Sequence, residues 1–230
     1  MLKLYFLRHG QTEYNLEGRV HGWHNAPLTD LGIYQAKCAG YGARKISFDC
    51  AYCGDAGRQI QTAETFLSQN EKPCEVVPDM HFREMGYGKF EDRTYQEMLG
   101  PLYEKVNQPF DGYEGLYHYY SDLEIGKMIE ESDDSGTFEG PEKAALRLLE
   151  GIEMLCQKYK DGDILISTSS FAICLVIHRL FPEFHQERLV DNASLTIIGF
   201  EDDVFSMISY NDTSYRKAGE AFFSQETASL

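Results

Sequence analysis

Residues 7–36 read LRHGQTEYNLEGRVHGWHNAPLTDLGIYQA, from Leu7 to Ala36. The run that feeds into them, KLYFL at 3–7, has the apolar texture of a short strand. Arg8 and His9 therefore stand just beyond a strand's carboxyl end, where open α/β sheets hold their ligands. Gly10, Gly18 and Gly22 punctuate the loop that follows and can bring backbone N–H groups close to an anion. A planar guanidinium beside an imidazole suits clamping a phosphoryl group and attacking it. Thr29 then caps a helix whose expected apolar face is Leu31, Tyr34, Cys38 and Tyr41.

Outward from this segment, strands and helices alternate. A second strand is expected at 48–53, then a helical segment through 62–67 and a third short strand, CEVVP, at 74–78. From 95 to 138 the texture changes to Tyr, Glu and Gly with weak periodicity. This stretch reads as an inserted cap of short helices and loops, 94–138, rather than a second domain. Regular structure resumes with Ala145, Leu148, Ile152, Leu155 and Tyr159 on one face of a long helix. A buried strand at 163–167 (DILIS) and the helical run AICLVIHRLF follow. Segments 195–200 and 204–208 form a terminal hairpin, and the chain from Ser214 onward reads as polar and loose. The pattern implies one α/β domain over 1–230, a three-layer α/β/α sandwich around a mostly parallel sheet with the cap inserted.

The 230 residues carry 21 Lys+Arg against 37 Asp+Glu, a net charge of 21 − 37 = −16. Such a balance repels polyanions and disfavours nucleic acid and anionic membranes as partners. No apolar run approaches the roughly 18 residues of a membrane span, and the N-terminal MLKLYFLRHG lacks a signal peptide's long apolar centre and cleavage site. A cytoplasmic location is the expectation. Six cysteines in this length are too sparse for a disulfide framework. Cys50-Ala-Tyr-Cys53 has C-x-x-C spacing but lacks the second pair that a zinc site needs. It also falls in a strand rather than at a helix start, so buried thiols are expected there and no metal.

Arg8-His9-Gly10, followed in order by Thr12, Asn15, Gly22, Pro27-Leu28-Thr29, Gly32 and Gln35-Ala36, resembles the signature of the histidine phosphatase superfamily, the phosphoglycerate mutase-like proteins. Arg58 with Gln61-Thr62-Ala63, and Glu84 in REMGYGKFED, extend the resemblance over the chain apart from the cap and the tail. It implies a phosphomonoesterase that needs no metal or cofactor and acts on a small phosphorylated molecule through a phosphohistidine. The resemblance makes His9 the nucleophile. Arg8 and Arg58, helped by Asn15, would bind the phosphoryl oxygens. Glu84 would protonate the leaving alcohol and then activate water. Gly10, Thr12, His21, Gly22 and Tyr87 are candidate lining residues, with His24 in the same loop. His118, His178 and His185 read as surface or packing residues.

The resemblance breaks where the family carries a second catalytic histidine after a late strand. Here the stretch is Ile166-Ser167-Thr168-Ser169-Ser170-Phe171, and the natural register puts Ser169 at that position as a phosphate-binding candidate. A slip of one residue puts Thr168 or Ser170 there, and no register supplies a histidine. Two further departures are Cys53-Gly54-Asp55-Ala56-Gly57 before Arg58, in place of a serine pair and leucine, and Gly140-Pro141-Glu142 in place of Gly-Glu-Ser. Losing one preorganised donor costs ~10²–10³ in rate. Two readings therefore stand: a slow or specialised phosphatase, or a pseudoenzyme that binds a phosphorylated ligand or a partner. Joint survival of His9, Arg8, Arg58 and Glu84 favours the first.

The cap holds Lys105 and Lys127 but no arginine, which argues against a bisphosphorylated ligand and mutase activity. Its rings at Tyr95, Tyr103, Phe110, Tyr113, Tyr117, Tyr119, Tyr120 and Phe138 either roof an organic leaving group or pack the cap onto the body. The charge of −16 is no obstacle to a small anion. Charge in a cleft is local, and distant charge is screened within about 8 Å.

Overall fold

Strand β1 (Leu2–Arg8) runs through the middle of a six-stranded sheet and is buried on both faces. In the computed structural model, which describes residues 1–106, 109–185 and 189–228, the other strands are β2 (Cys50–Cys53), β3 (Val76–Pro78), β4 (Gly162–Thr168), β5 (Leu195–Glu201) and β6 (Val204–Asp212). The order across the sheet is β3-β2-β4-β1-β5-β6. The three pairings from β3 to β1 are parallel; β1 with β5 and β5 with β6 are antiparallel. The sheet is thus mixed and mostly parallel, with the expected hairpin closing one edge.

Alternation along the strands separates two apolar layers. Leu2, Leu4, Phe6, Ile164, Ile166 and Ile198 point to one face, where they meet α7 (Pro141–Lys158) and α8 (Ser170–Leu180). Tyr5, Leu7, Leu165 and Ile197 point to the other, against α2 (Asp30–Gly42) and α3 (Gly57–Leu67). Three short helices follow β3: α4 (Tyr95–Lys105), α5 (Gly112–Leu116) and α6 (Asp122–Glu130). Two of them start at capping boxes, Thr94 with Glu97 and Ser121 with Glu124. Their buried Met98, Leu99, Leu102, Leu116, Ile125 and Ile129 join the same apolar cluster as α7 and α8. A one-turn helix, α1 (Glu13–Glu17), follows β1.

Two expectations fail. Leu31 and Tyr34 are not on the buried face of α2: they are 49% and 37% exposed. The helix instead buries Gly32, Ala36, Cys38, Ala39 and Gly40, a stripe of small residues that lets backbones approach closely. A Cβ on Gly40 would sit 2.1 Å from the Phe66 carbonyl oxygen of α3. Nor is the tail loose. It forms α9 (Ser214–Ala228), which lies along α2 with Gly219 against Cys38 and with Phe222 stacked on Tyr41 at 4.1 Å between ring centroids. Small-residue contacts of this kind leave no large apolar stripe to read.

The Cys50–Cys53 segment is a strand, and all six cysteines are free thiols. Burial pushes the Cys53 thiol up to about 12, which makes it inert. Among the described residues no helix is long and apolar enough to cross a membrane.

Candidate active site

The parallel pairing of β1 with β4 sets Arg8 opposite Thr168, and the His9 N–H donates to the Thr168 carbonyl at 3.0 Å. Both strands thus end at one level, with His9 beside the start of α8. His9 is buried, and its Nδ1 lies 2.8 Å from the Gly10 carbonyl oxygen. A carbonyl only accepts, so Nδ1 carries the proton and Nε2 presents its lone pair. Burial, then the positive charge of Arg58 and the neighbouring His21 and Arg8, hold the imidazole pKa well below its usual value. The ring is therefore neutral at pH 7. From behind, Asn192 Nδ2 donates to the His9 carbonyl at 2.9 Å. Gly10 has to be glycine, because a Cβ there would lie 2.3 Å from the Gly32 carbonyl oxygen.

Arg58 enters from the first turn of α3, where its backbone N–H donates to Asn25 Oδ1. The side chain is almost wholly buried, and two of its nitrogens donate to the His24 and Gly22 carbonyls at 2.7 and 2.8 Å. Burial lowers its pKa to about 10, so it remains charged at neutral pH. Arg8 spends one nitrogen on the Val190 carbonyl. The Nε of each guanidinium is buried with no partner among the described residues. Two charged donors thus stand unmatched near a neutral imidazole.

Glu84 faces them. Its Oε1 accepts from the Met85 N–H at 2.8 Å and its Oε2 from the Phe171 N–H of α8 at 3.2 Å. Burial raises its pKa, against the opposing pull of those N–H groups and of Arg58 and Arg147. The Glu84 carbonyl is pinned by Trp23 Nε1 at 3.0 Å and an Arg147 nitrogen at 3.2 Å. Arg147 in turn pairs with Glu139 through two bonds of 2.7 and 2.8 Å.

These groups border one narrow cavity of about 40 Å³. Arg8, His9, Asn15, His21, Gly22, Glu84 and Tyr87 line it, as do Ser170, Phe171 and, from α4 and α5, Tyr95 and Tyr113. Arg58 approaches from the side, lining a neighbouring cleft that shares Gly22 and Glu84. Gly10 and Thr12 stand behind the wall. The Thr12 hydroxyl donates to Asn15 Oδ1 at 3.1 Å, so it accepts from His21 Nε2 at 2.6 Å. Asn15 Oδ1 also accepts from the Thr12 backbone N–H. That occupies its oxygen and leaves its amide N–H groups for the cavity. Burial pushes His21 down to about 2, so it too is neutral.

Ser169 is buried behind the wall, where its hydroxyl oxygen accepts from Gln59 Nε2 at 2.9 Å; it is Ser170 that borders the cavity. The His24 side chain is exposed, and its contribution is the carbonyl that Arg58 uses. His118, His178 and His185 line a separate surface cleft with Tyr117 and Phe184. Among the described residues, no group of three His, Cys, Asp or Glu side chains is arranged to hold a metal ion. Sequence reading missed Asn25, Gln59, Arg147, Asn192 and Trp23, each of which reaches the site across a long sequence separation with no local signal. Only Thr62 was within reach, through its place in Gln61-Thr62-Ala63. Its hydroxyl accepts from the Gly10 N–H at 3.1 Å and donates to the Arg58 carbonyl at 2.6 Å.

The family model of the histidine phosphatase superfamily (branch 1) matches residues 4–213. The chain is 32% identical over 98 residues to the adenosylcobalamin/alpha-ribazole phosphatase of Escherichia coli, covering 43% of this chain and 47% of that one. It is 37% identical over 116 residues to the probable phosphoglycerate mutase GpmB of Salmonella choleraesuis, covering 49% and 53% respectively. The chain thus spans about half the length of the curated relatives it matches. Among solved structures, a phosphoglycerate mutase from Bacillus anthracis superposes with a TM-score of 0.88 at 28% identity, over 95% of this chain and 96% of that one.

Proposed function

We propose that this chain, which belongs to the histidine phosphatase superfamily, is a phosphomonoesterase that works through a phosphohistidine at His9. The observation that carries the proposal is the pairing of a neutral His9, its Nδ1 proton tied to Gly10, with two buried guanidinium Nε–H groups that have no partner among the described residues. A phosphoryl group supplies the acceptors those donors lack.

In the first step the His9 Nε2 lone pair attacks phosphorus and the bond from phosphorus to the ester oxygen breaks. Arg8, Arg58 and the Asn15 amide bind the non-bridging oxygens as charge develops on them. Glu84, its pKa raised by burial, gives its proton to the departing alkoxide, which leaves as an alcohol. In the second step the Glu84 carboxylate takes a proton from water, whose oxygen attacks the phosphohistidine. The phosphorus–nitrogen bond breaks, the electron pair returns to Nε2, and inorganic phosphate departs. Segment 94–138 acts as the cap over the leaving group.

Hydrolysis suits the site better than transfer between two phosphate positions. Lys105 and Lys127, the cap's only cations, lie outside the cavity and pair with Glu131 and Glu142. One observation favours the second reading, a phosphate-binding protein without turnover: the Ser169 hydroxyl is held by Gln59 rather than facing the cavity. Hydrolysis of an aryl phosphate in the presence of a chelator separates the two. Turnover above the His9→Ala background supports the phosphatase, and binding without turnover supports the alternative.

A further inference from the structure

The Tyr113 hydroxyl has a place in neither step above. It belongs to α5 of the cap, yet its oxygen is buried and has no hydrogen-bond partner among the described residues. Tyr113 lines the same cavity as Arg8, His9 and Glu84. Its ring packs edge-on to Phe171 at 6.2 Å between centroids and lies 6.4 Å from Tyr95, so the phenol is held by packing rather than free to swing out. A buried O–H with no acceptor is costly to maintain. The same cavity is also lined by Val20, Phe171 and Leu189, which offer only hydrocarbon and a ring, and by the rings of Tyr87 and Tyr95.

We infer that Tyr113 is a specificity-determining residue, its hydroxyl hydrogen-bonding a neutral polar substituent, a hydroxyl, on the leaving-group carbon chain. The assignment rests on the phosphatase reading and narrows the substrate to small hydroxylated alkyl monophosphates. A second anionic group is disfavoured on this side. Glu84 stands there as a carboxyl, and the cap's two lysines face outward to other carboxylates. Aromatic walls can pack against the carbon chain while the Tyr113 phenol reads its hydroxyl. Among the three lining tyrosines, Tyr113 is the one with a buried oxygen lacking a partner among the described residues.

The test compares glycerol 3-phosphate with propyl phosphate, which share the phosphoester and the carbon chain and differ only in the hydroxyl groups. Wild-type protein is expected to prefer the hydroxylated compound by about tenfold or more in kcat/KM, because a site built to bond a hydroxyl rejects the analogue that lacks it. Tyr113→Phe, which keeps the ring and its packing, is expected to bring that ratio close to one. Equal use of both compounds by wild type, or a preference undiminished in Tyr113→Phe, overturns the inference. If wild type hydrolyses an aryl phosphate but neither of these compounds, the inference is overturned and the phosphatase reading stands. If it hydrolyses none of the three, the phosphatase reading fails, and calorimetric titration of the same pair then tests Tyr113 separately. Tighter binding of the hydroxylated compound that disappears in Tyr113→Phe supports the contact; equal binding, or no binding of either, overturns it.

Discussion

Gln59 Nε2 lies 2.9 Å from the hydroxyl oxygen of Ser169, and both side chains are sealed from solvent. The amide thus packs against the residue at which the family resemblance places a second histidine. A Cβ on Gly54 would meet Gln59 Oε1 at 2.1 Å, so the amide is packed tightly on its far side as well.

A histidine placed at 169 would therefore meet this amide. Ser169→His alone is expected to gain little activity and to lose stability through overpacking. The double variant Gln59→Ala with Ser169→His should exceed Ser169→His in kcat by about tenfold or more, as a charged donor reaches the phosphoryl group. Steady-state kinetics of the three proteins on one aryl phosphate checks this. Equal rates for the single and double variants would remove Gln59 from the account.

Glu84 gives a prediction with a definite sign. Burial raises its folded-state pKa, so the folded protein holds this proton more tightly than the unfolded chain does. The associated stability is full below the unfolded-state pKa and is lost as pH rises through the folded one. Glu84→Gln should therefore raise Tm at neutral and alkaline pH and match wild type in acid. The same variant should lower kcat on alkyl phosphates by ~10²–10⁴ and abolish the loss of rate at high pH. Thermal melts and pH–rate profiles read the two effects separately.

Arg147 holds the Glu84 segment from behind, joining Glu139 to the carbonyls of Met80, His81, Arg83 and Glu84. Breaking a largely buried pair by removing one partner should cost about 3 kcal/mol. Arg147→Met should show that loss in urea denaturation. It should also lower kcat more than it raises KM, because Glu84 is displaced while the arginine clamp stays.

Much of this was legible in residues 7–36, because β1, its loop and the capped start of α2 are local in sequence. What escaped depended on side-chain direction and on distant partners. Register placed 169 and 170 to within one residue. Only the actual entry into α8 decides that Ser170 borders the cavity while Ser169 turns to Gln59. Of the cap's eight rings, Tyr95 and Tyr113 reach the cavity, Phe110, Tyr117, Tyr120 and Phe138 pack on the core, and Tyr103 and Tyr119 are exposed. Packing onto the body is thus seen for four of the rings, while Tyr95 and Tyr113 border the cavity. The α2–α9 contact escaped because its close approaches are made at Gly219 and Gly42, which carry no hydrophobic signal, and its rings, Tyr41 and Phe222, pair across a long sequence separation.

That contact is itself testable. A Cβ on Gly219 would lie 2.1 Å from the Cys38 carbonyl oxygen, a backbone atom that cannot step aside. Gly219→Ala should destabilise the protein by about 1–3 kcal/mol, despite the higher helix propensity of alanine. An unchanged or raised Tm would mean that α9 does not rest on α2 in solution.

The central claim is that His9 carries the phosphoryl group, and trapping the intermediate tests it most directly. The Glu84→Gln variant is mixed with an aryl phosphate, whose good leaving group needs little acid assistance, and quenched in alkali before intact-mass and peptide analysis. One phosphoryl group should appear on His9, be lost on acid treatment, and be absent when His9→Ala is combined with Glu84→Gln. A phosphoryl group on another residue, or turnover that persists in His9→Ala, would contradict the account.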